Sequence, residues 1–347
     1  MNLVKKLVAL ALATALVMTG FVGCARKAEI PNNDEVVMVI NKEEVKMGIT
    51  NFYVRYQQSL MESLYQSYMG PNVWKQEMEQ GVTYEDNMKE TLLKEFQKIL
   101  IIVQHAEEYK VSLTDKELEA IDKAADSFDK ENKKDVKELI SGTKEIVTAY
   151  FKLVTLNDKM EDAIKAKADS EISDDEAAQK KMRYVTFTKK ADAEEFLKAA
   201  KANGSLETYA KEKAKETKTQ TFDKDSAILD KAVIKAADSL ELNGFADVVT
   251  VKDKDDKKEY YVLQLESLMD ATATAEAKKT MLEERQKELY DETVEKWVKD
   301  AKIDLKEKVW AKISLDGLSV LTVTEEAKTD DKTKDDTTED TSKDATK

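Results

Sequence analysis

Cys24 and His105 are the only cysteine and the only histidine among 347 residues, and they bound the chemistry this chain can do. A zinc-type metal centre needs several nitrogen or sulfur donors, which one of each cannot supply. A lone thiol forms no internal disulfide, so the fold must be held by packing. His105 lies in an apolar segment and reads as a satisfied core or interfacial side chain rather than a ligand. The sequence contains no glycine-rich phosphate loop, no nucleophile elbow and no serine–histidine pair, and no cofactor is expected. The acidic C-terminal stretch lacks the glycine-centred pattern of a calcium loop. What remains is the thiol. It follows Lys5, Lys6 and an uncharged apolar run over 7–22, too short for a comfortable membrane span and suited to the core of a signal peptide.

Phe21, Val22, Gly23 and Cys24 resemble the bacterial lipobox, with Phe21 where leucine is usual. The resemblance implies a signal peptide over 1–23, removed before Cys24 is acylated. A thioether-linked diacylglycerol and an N-acyl chain would give the two or more anchors that stable attachment needs. The expected location is extracytoplasmic, on the outer face of a bacterial membrane, with residues 24–35 as a lipidated tether. No second apolar run reaches spanning length.

The chain has 56 basic and 70 acidic residues, a net charge of −14. Removal of residues 1–23, which hold two lysines and no acid, would make it −16. No basic patch is left to neutralise phosphates, so nucleic acid is excluded as a partner. Two prolines, nine glycines and 36% charged residues describe long solvated helices, and the expected class is α+β, mostly helical.

Val37, Val39 and Val45 alternate around Asn41 and Lys42, which predicts a small hairpin. Phe52, Tyr56, Leu60 and Leu64 recur at helical spacing over 49–69, up to the break at Gly70 and Pro71. A second helix is expected over 84–109; its residues 99–103 are apolar on every side, which predicts full burial. Thr114 with Glu117, and Ser173 with Glu176, have capping-box spacing and should each start a helix. Between them, a helix is expected over 146–164. Further along, strands are expected over 183–188, 248–251 and 260–265, and helices over 191–202, 205–215 and 230–240. The charged run 252–258 reads as a hairpin loop. A long helix over 274–301 should bury Met281, Leu282, Leu289, Trp297 and Val298, and 303–313 reads as a short strand. From Glu325 the composition is that of a disordered acidic tail.

Three stretches, taken in order after the lipobox, resemble the PrsA-type foldases and SurA-type chaperones of the bacterial envelope. Residues 36–45 resemble the opening valine-rich hairpin, with Lys42 where glycine is common; 92–118 is similar to the family's core helix; 182–267 resembles a parvulin domain in its order of elements. The resemblance implies a helical chaperone module built from 36–172 and 269–318, with a parvulin-like α/β domain inserted over 173–268 and a disordered acidic tail over 319–347. Active parvulins share two histidines. In this sequence those positions fall on Tyr184 and Tyr261, and the glycine-rich segment corresponds to 218–229, where there is no glycine. The active-site aspartate or cysteine has no match within 210–222. The expectation is a degenerate isomerase domain and no catalytic residue, with an active peptidyl-prolyl isomerase as the alternative and a non-catalytic adaptor lipoprotein as the second.

Aromatic rings and thioethers concentrate over 52–88, at Phe52, Tyr53, Tyr56, Met61, Tyr65, Tyr68, Met69, Trp74, Met78 and Tyr84. Such side chains adapt to many apolar partners, and the set is the expected contact surface for unfolded or newly secreted polypeptides. Taken singly, each of these residues reads more readily as core. A homodimer is compatible with the sequence.

Overall fold

The computed structural model describes residues 15–19, 29–70, 72–252, 257–316 and 319–323. Cys24, Pro71, the tip of the 252–258 loop and the acidic stretch from 324 onward lie outside the described residues. Strand β1 (Ala15–Thr19) falls in the expected signal-peptide core, and it pairs antiparallel with Ser319–Val323. Residues 319–323, expected to be part of a disordered tail, are therefore strand. The chain divides into two compact units, one formed by 1–166 with 290–347 and the other by 167–289.

The first unit opens on the predicted hairpin, β2 (Val36–Ile40) and β3 (Glu43–Lys46). Its turn puts Asn41 at φ 55° and Lys42 at φ 107°. Lys42 thus occupies a left-handed position that glycine takes without steric cost. Helix α1 (Met47–Met69) follows and stops at Gly70, φ 84°. A 3-10 turn (Val73–Lys75) and a two-strand ribbon, β4 (Glu77–Glu79) and β5 (Val82–Thr83), lead into α2 (Tyr84–Gln104). Helix α2 starts on a capping box between Thr83 and Asp86 that the sequence reading missed. It ends at Gln104, five residues before the expected end, and His105 is its C-cap. The Thr114–Glu117 capping box forms as expected and opens α3 (Asp115–Glu131). Helices α4 (Lys134–Ile140) and α5 (Lys144–Lys165) complete this part. The core is aromatic. Phe52 meets the edges of Phe128 and Tyr150 at ring-centroid distances of 5.4 and 5.3 Å, and Tyr53 stacks on Phe96 at 4.5 Å. Pairs of this geometry each contribute about 0.5–1.5 kcal/mol beyond area burial.

In the second unit, Ser173 and Glu176 close a single turn and no helix; the Glu176 amide donates to Ser173 Oγ at 3.1 Å. The strands and helices are β6 (Lys180–Phe187), α6 (Lys190–Asn203), α7 (Leu206–Glu212), β7 (Lys218–Phe222), α8 (Lys231–Asp238), β8 (Val249–Lys252) and β9 (Lys258–Ser267). The sheet is antiparallel in the order β7-β6-β9-β8. Side chains alternate across it with period two. Met182, Tyr184, Leu263 and Leu265 pack with Val233, Ile234 and Ala237 of α8. Val185 and Val262 pack on the opposite face with α6 and α7. Strand β7 is not expected from the sequence, because Lys218, Thr219, Gln220 and Thr221 carry no apolar signal.

Helix α9 (Ala271–Asp300) runs through the boundary at residue 290. Its expected apolar face is only half realised. Val294 is the buried aliphatic residue, Met281, Leu282, Leu289 and Trp297 are half-buried, and Val298 is exposed. Two elements then return to the first unit. Strand β10 (Ile303–Leu305) pairs with β2, giving the sheet order β10-β2-β3, and α10 (Glu307–Trp310) is a single helical turn where strand was expected. The remaining strand, β11 (Ser319–Val323), is the partner of β1. The fold is α+β and mostly helical.

Candidate functional site

The ten aromatic and methionine residues singled out in the sequence fall into three groups. Phe52, Tyr53, Tyr56 and Trp74 are buried in the core, so these four are not available to a client and that part of the expectation is corrected. Met61, Tyr65, Met69 and Tyr84 are half-buried, with Tyr65 stacked on Trp74 at 5.6 Å and edge-on to Tyr84 at 6.4 Å. Tyr68 and Met78 are exposed.

The reason lies in helix geometry. A strict i+4 series drifts by about 40° per step on a helix of 3.6 residues per turn, and so by about 160° over four steps. Phe52, Tyr56, Leu60, Leu64 and Tyr68 form such a series. Its first two members face the core, whereas Leu60, Leu64 and Tyr68 are 50%, 57% and 82% exposed. The sequence reading grouped Leu60 and Leu64 with Phe52 and Tyr56; the structure separates them.

The opposite side of the same turns is buried and polar. Gln58, Ser59 and Glu62 are each less than 3% exposed. Arg55 Nη1 donates to Gln58 Oε1 at 2.7 Å, and Gln58 Nε2 donates to Glu62 Oε2 at 3.0 Å and to the Leu315 carbonyl at 3.1 Å. Glu62 Oε1 accepts from Gln66 Nε2 at 2.9 Å and from Trp74 Nε1 at 3.3 Å. Burial pushes the Arg55 guanidinium down to about 10, against the pull of the Glu62 and Glu85 carboxylates. Over the last three turns of α1, Gln58 and Glu62 thus take fully buried positions beside half-buried Met61, Tyr65 and Met69, while Leu60, Leu64 and Tyr68 face outward. The ribbon after α1 adds exposed Met78 and Val82.

In the second unit, Tyr184 and Tyr261 pack in one apolar cluster on the α8 face, with ring centroids 5.6 Å apart. Tyr261 donates its hydroxyl to Glu259 Oε2 at 2.8 Å, and burial, helped by that carboxylate, raises its pKa. A cavity of about 280 Å³ beside them is lined by Tyr184, Val185, Thr186, Lys215, Glu216 and Lys218. Residues 218–229, matched to the glycine-rich segment of parvulins, begin as β7 and continue into a turn at Asp223, whose carboxylate accepts from Gln179 Nε2 at 3.0 Å.

His105 stacks flat on Trp297 at 4.0 Å, and its Nδ1 lies 2.9 Å from Glu108 Oε1. Among the described residues, no group of histidine, cysteine, aspartate and glutamate is arranged to hold a metal ion. Among the same residues, no helix is long and apolar enough to cross a membrane.

No protein-family model matches the chain. Among curated proteins, it is similar to the foldase protein PrsA of Streptococcus sanguinis strain SK36, with 28% identity over 191 residues, covering 48% of this chain and 56% of that protein. The chain thus spans about half the length of the curated relative it matches. Among solved structures, it is similar to the foldase protein PrsA of Lactococcus lactis, at 16% identity and TM-score 0.37, covering 80% of this chain and 97% of that one. It is also similar to a SurA-like chaperone of Campylobacter jejuni, at 12% identity and TM-score 0.30, covering 78% and 99%. The match to a curated foldase supports the resemblance to the PrsA-type foldases that the sequence carries.

Proposed function

We propose that this protein is a membrane-anchored, extracytoplasmic chaperone or foldase that holds unfolded secreted polypeptides without prolyl isomerase chemistry. The observation that carries the reading is the end of α1, where Leu60, Leu64 and Tyr68 face solvent over a buried polar network. Leu60 and Leu64 are 50% and 57% exposed, so covering what remains of them contributes roughly 1.5–3 kcal/mol, which favours retention of an unfolded segment while sequence specificity stays low. The net charge of −14 keeps a protein with such a surface soluble.

The non-catalytic part of the reading rests on Tyr184 and Tyr261. Prolyl isomerisation needs a pocket that favours a twisted amide over the planar one. Here the two positions that correspond to the shared histidines hold packed phenol rings in an apolar cluster, and the segment matched to the glycine-rich loop begins as a lysine- and threonine-bearing strand. Anchoring rests on the lipobox-like residues and Cys24, and it implies loss of residues 1–23.

Suppression of aggregation of a reduced secreted protein by purified chain, alongside a prolyl cis/trans exchange assay, tests the reading. Holding without exchange catalysis is expected. Catalysis lost on deleting residues 167–289 would establish the isomerase alternative instead. Metabolic labelling with a palmitate analogue should mark the wild-type chain and not Cys24→Ser; equal labelling of both would remove the anchor from the proposal.

A further inference from the structure

We propose that a groove at the C-terminal end of α2 binds an extended apolar segment of polypeptide that carries a lysine or arginine beside its buried residue. The proposal rests on the polypeptide-binding reading above but concerns a different surface of the first unit.

The groove follows from the apolar run at the end of α2. The sequence predicts full burial for residues 99–103 because they are apolar on every side. The structure buries Ile101 and Ile102 and leaves Leu100 and Val103 half-buried. These two, with Ala106, Val111 and Leu153, form the apolar lining of an open cavity of about 450 Å³, a volume typical of small-ligand sites. The charged side chains lining it are Glu43 and Glu107, both exposed, and none of its described lining residues is basic. Gln104 also lines it, but its amide is already engaged. It accepts from Asn41 Nδ2 at 3.0 Å and donates to the Ile40 carbonyl at 3.2 Å, which pins the hairpin tip to the helix end.

Two features define the occupant. The first is the sign of the rim. Two carboxylates around an apolar floor favour a cation on the guest, and they repel an acidic one within a Debye length of about 8–10 Å. The second is the sheet edge. Among the described residues β3 pairs only with β2, and Glu43, its first residue, lines the cavity. An extended guest can therefore lie along an open strand edge while one side chain enters the groove. The Leu60, Leu64 and Tyr68 row is neutral and selects for apolarity alone; the groove adds a preference for charge.

The test uses the full chain and two labelled peptides with the same apolar centre, one flanked by lysines and one by glutamates, followed by fluorescence anisotropy at low salt. The lysine-flanked peptide should bind about five-fold more tightly, the scale of two exposed ion pairs, and Glu43→Lys with Glu107→Lys should reverse the order. Both side chains are exposed, so the variant should keep the wild-type circular dichroism. Leu64→Ser with Tyr68→Ser should leave the preference intact. Equal affinity of the two peptides for the wild-type chain, or a preference that survives the charge reversal, would overturn the proposal. Failure to suppress aggregation, with the peptide preference retained, would instead sink the chaperone reading and leave the groove standing.

Discussion

The first three turns of α1 and its last three carry apolar residues at the same spacing, yet one set is core and the other is surface. Phe52 and Tyr56 meet Phe128 and Tyr150, while Leu60, Leu64 and Tyr68 meet solvent. In the second half Gln58, Ser59 and Glu62 are buried; Gln58 links Arg55 to Glu62 by hydrogen bonds, and Ser59 Oγ donates to the Tyr56 carbonyl. Stability and recognition therefore occupy different ends of one helix. Because Gln58, Glu62, Met61, Tyr65 and Met69 take the inward positions of the second half, the row of Leu60, Leu64 and Tyr68 lies outside the core and is free to serve another partner.

That contrast can be broken from either end. The largest effect is expected at the aromatic end: Phe52→Ala should cost about 3–5 kcal/mol in urea denaturation, because it empties a site ringed by Phe128, Tyr150 and Tyr56. A cost below about 1 kcal/mol would mean that this end is not the stabilising one. Next comes the polar network. Glu62→Ala should cost about 3 kcal/mol, since it removes one of the two carboxylates, Glu62 and Glu85, that offset the buried Arg55 charge and breaks the bond to Gln58. Arg55→Met with Glu62→Met should recover most of that loss.

The third effect is one of pH. Burial raises the Tyr56 hydroxyl from its ordinary value of 10 to about 12. The folded form therefore keeps its proton after the unfolded chain has lost it. Its contribution is fully present below pH 10 and fades as the pH rises through 12, which amounts to about 1 kcal/mol lost by pH 11. The urea midpoint should fall between pH 9 and pH 11, and by less in Tyr56→Phe. The smallest effect on stability belongs to the exposed row. Leu64→Ser with Tyr68→Ser should change stability by no more than about 0.5 kcal/mol, yet weaken holding of an aggregating client several-fold. A large loss of stability, or unchanged holding, would erase the division between the two ends.

Tyr65, by contrast, is a poor choice for such a test. It stacks on Trp74 and touches Tyr84, so its loss would disturb packing and surface together. The sequence alone gives no reason to separate Tyr65 from Tyr68; only the positions of Trp74 and Tyr84 do.

Much of the local structure was legible because its signals are local. The Thr114–Glu117 box caps a helix through atoms three residues apart, Gly70 stops α1 at a positive φ, and short apolar, β-branched and aromatic runs mark β2, β6 and β9. The Ser173–Glu176 box has the same spacing and yields one turn, because the chain enters β6 four residues after Glu176 and leaves no room for a helix. Strand β7 has no apolar pattern of its own; pairing with β6 makes it a strand.

The sequence by itself determined that α1 has two faces over its last turns, with Leu60, Leu64 and Tyr68 on one side and Gln58, Glu62 and Gln66 on the other. Both series recur at i+4, and rotation about a helix axis is fixed by the chain alone. Which face turns inward was decided only by the tertiary structure. The Trp74 indole bonds Glu62, and Arg55 and the Leu315 carbonyl bond Gln58, so these two side chains find partners in the interior even though the buried Arg55 Nε has none.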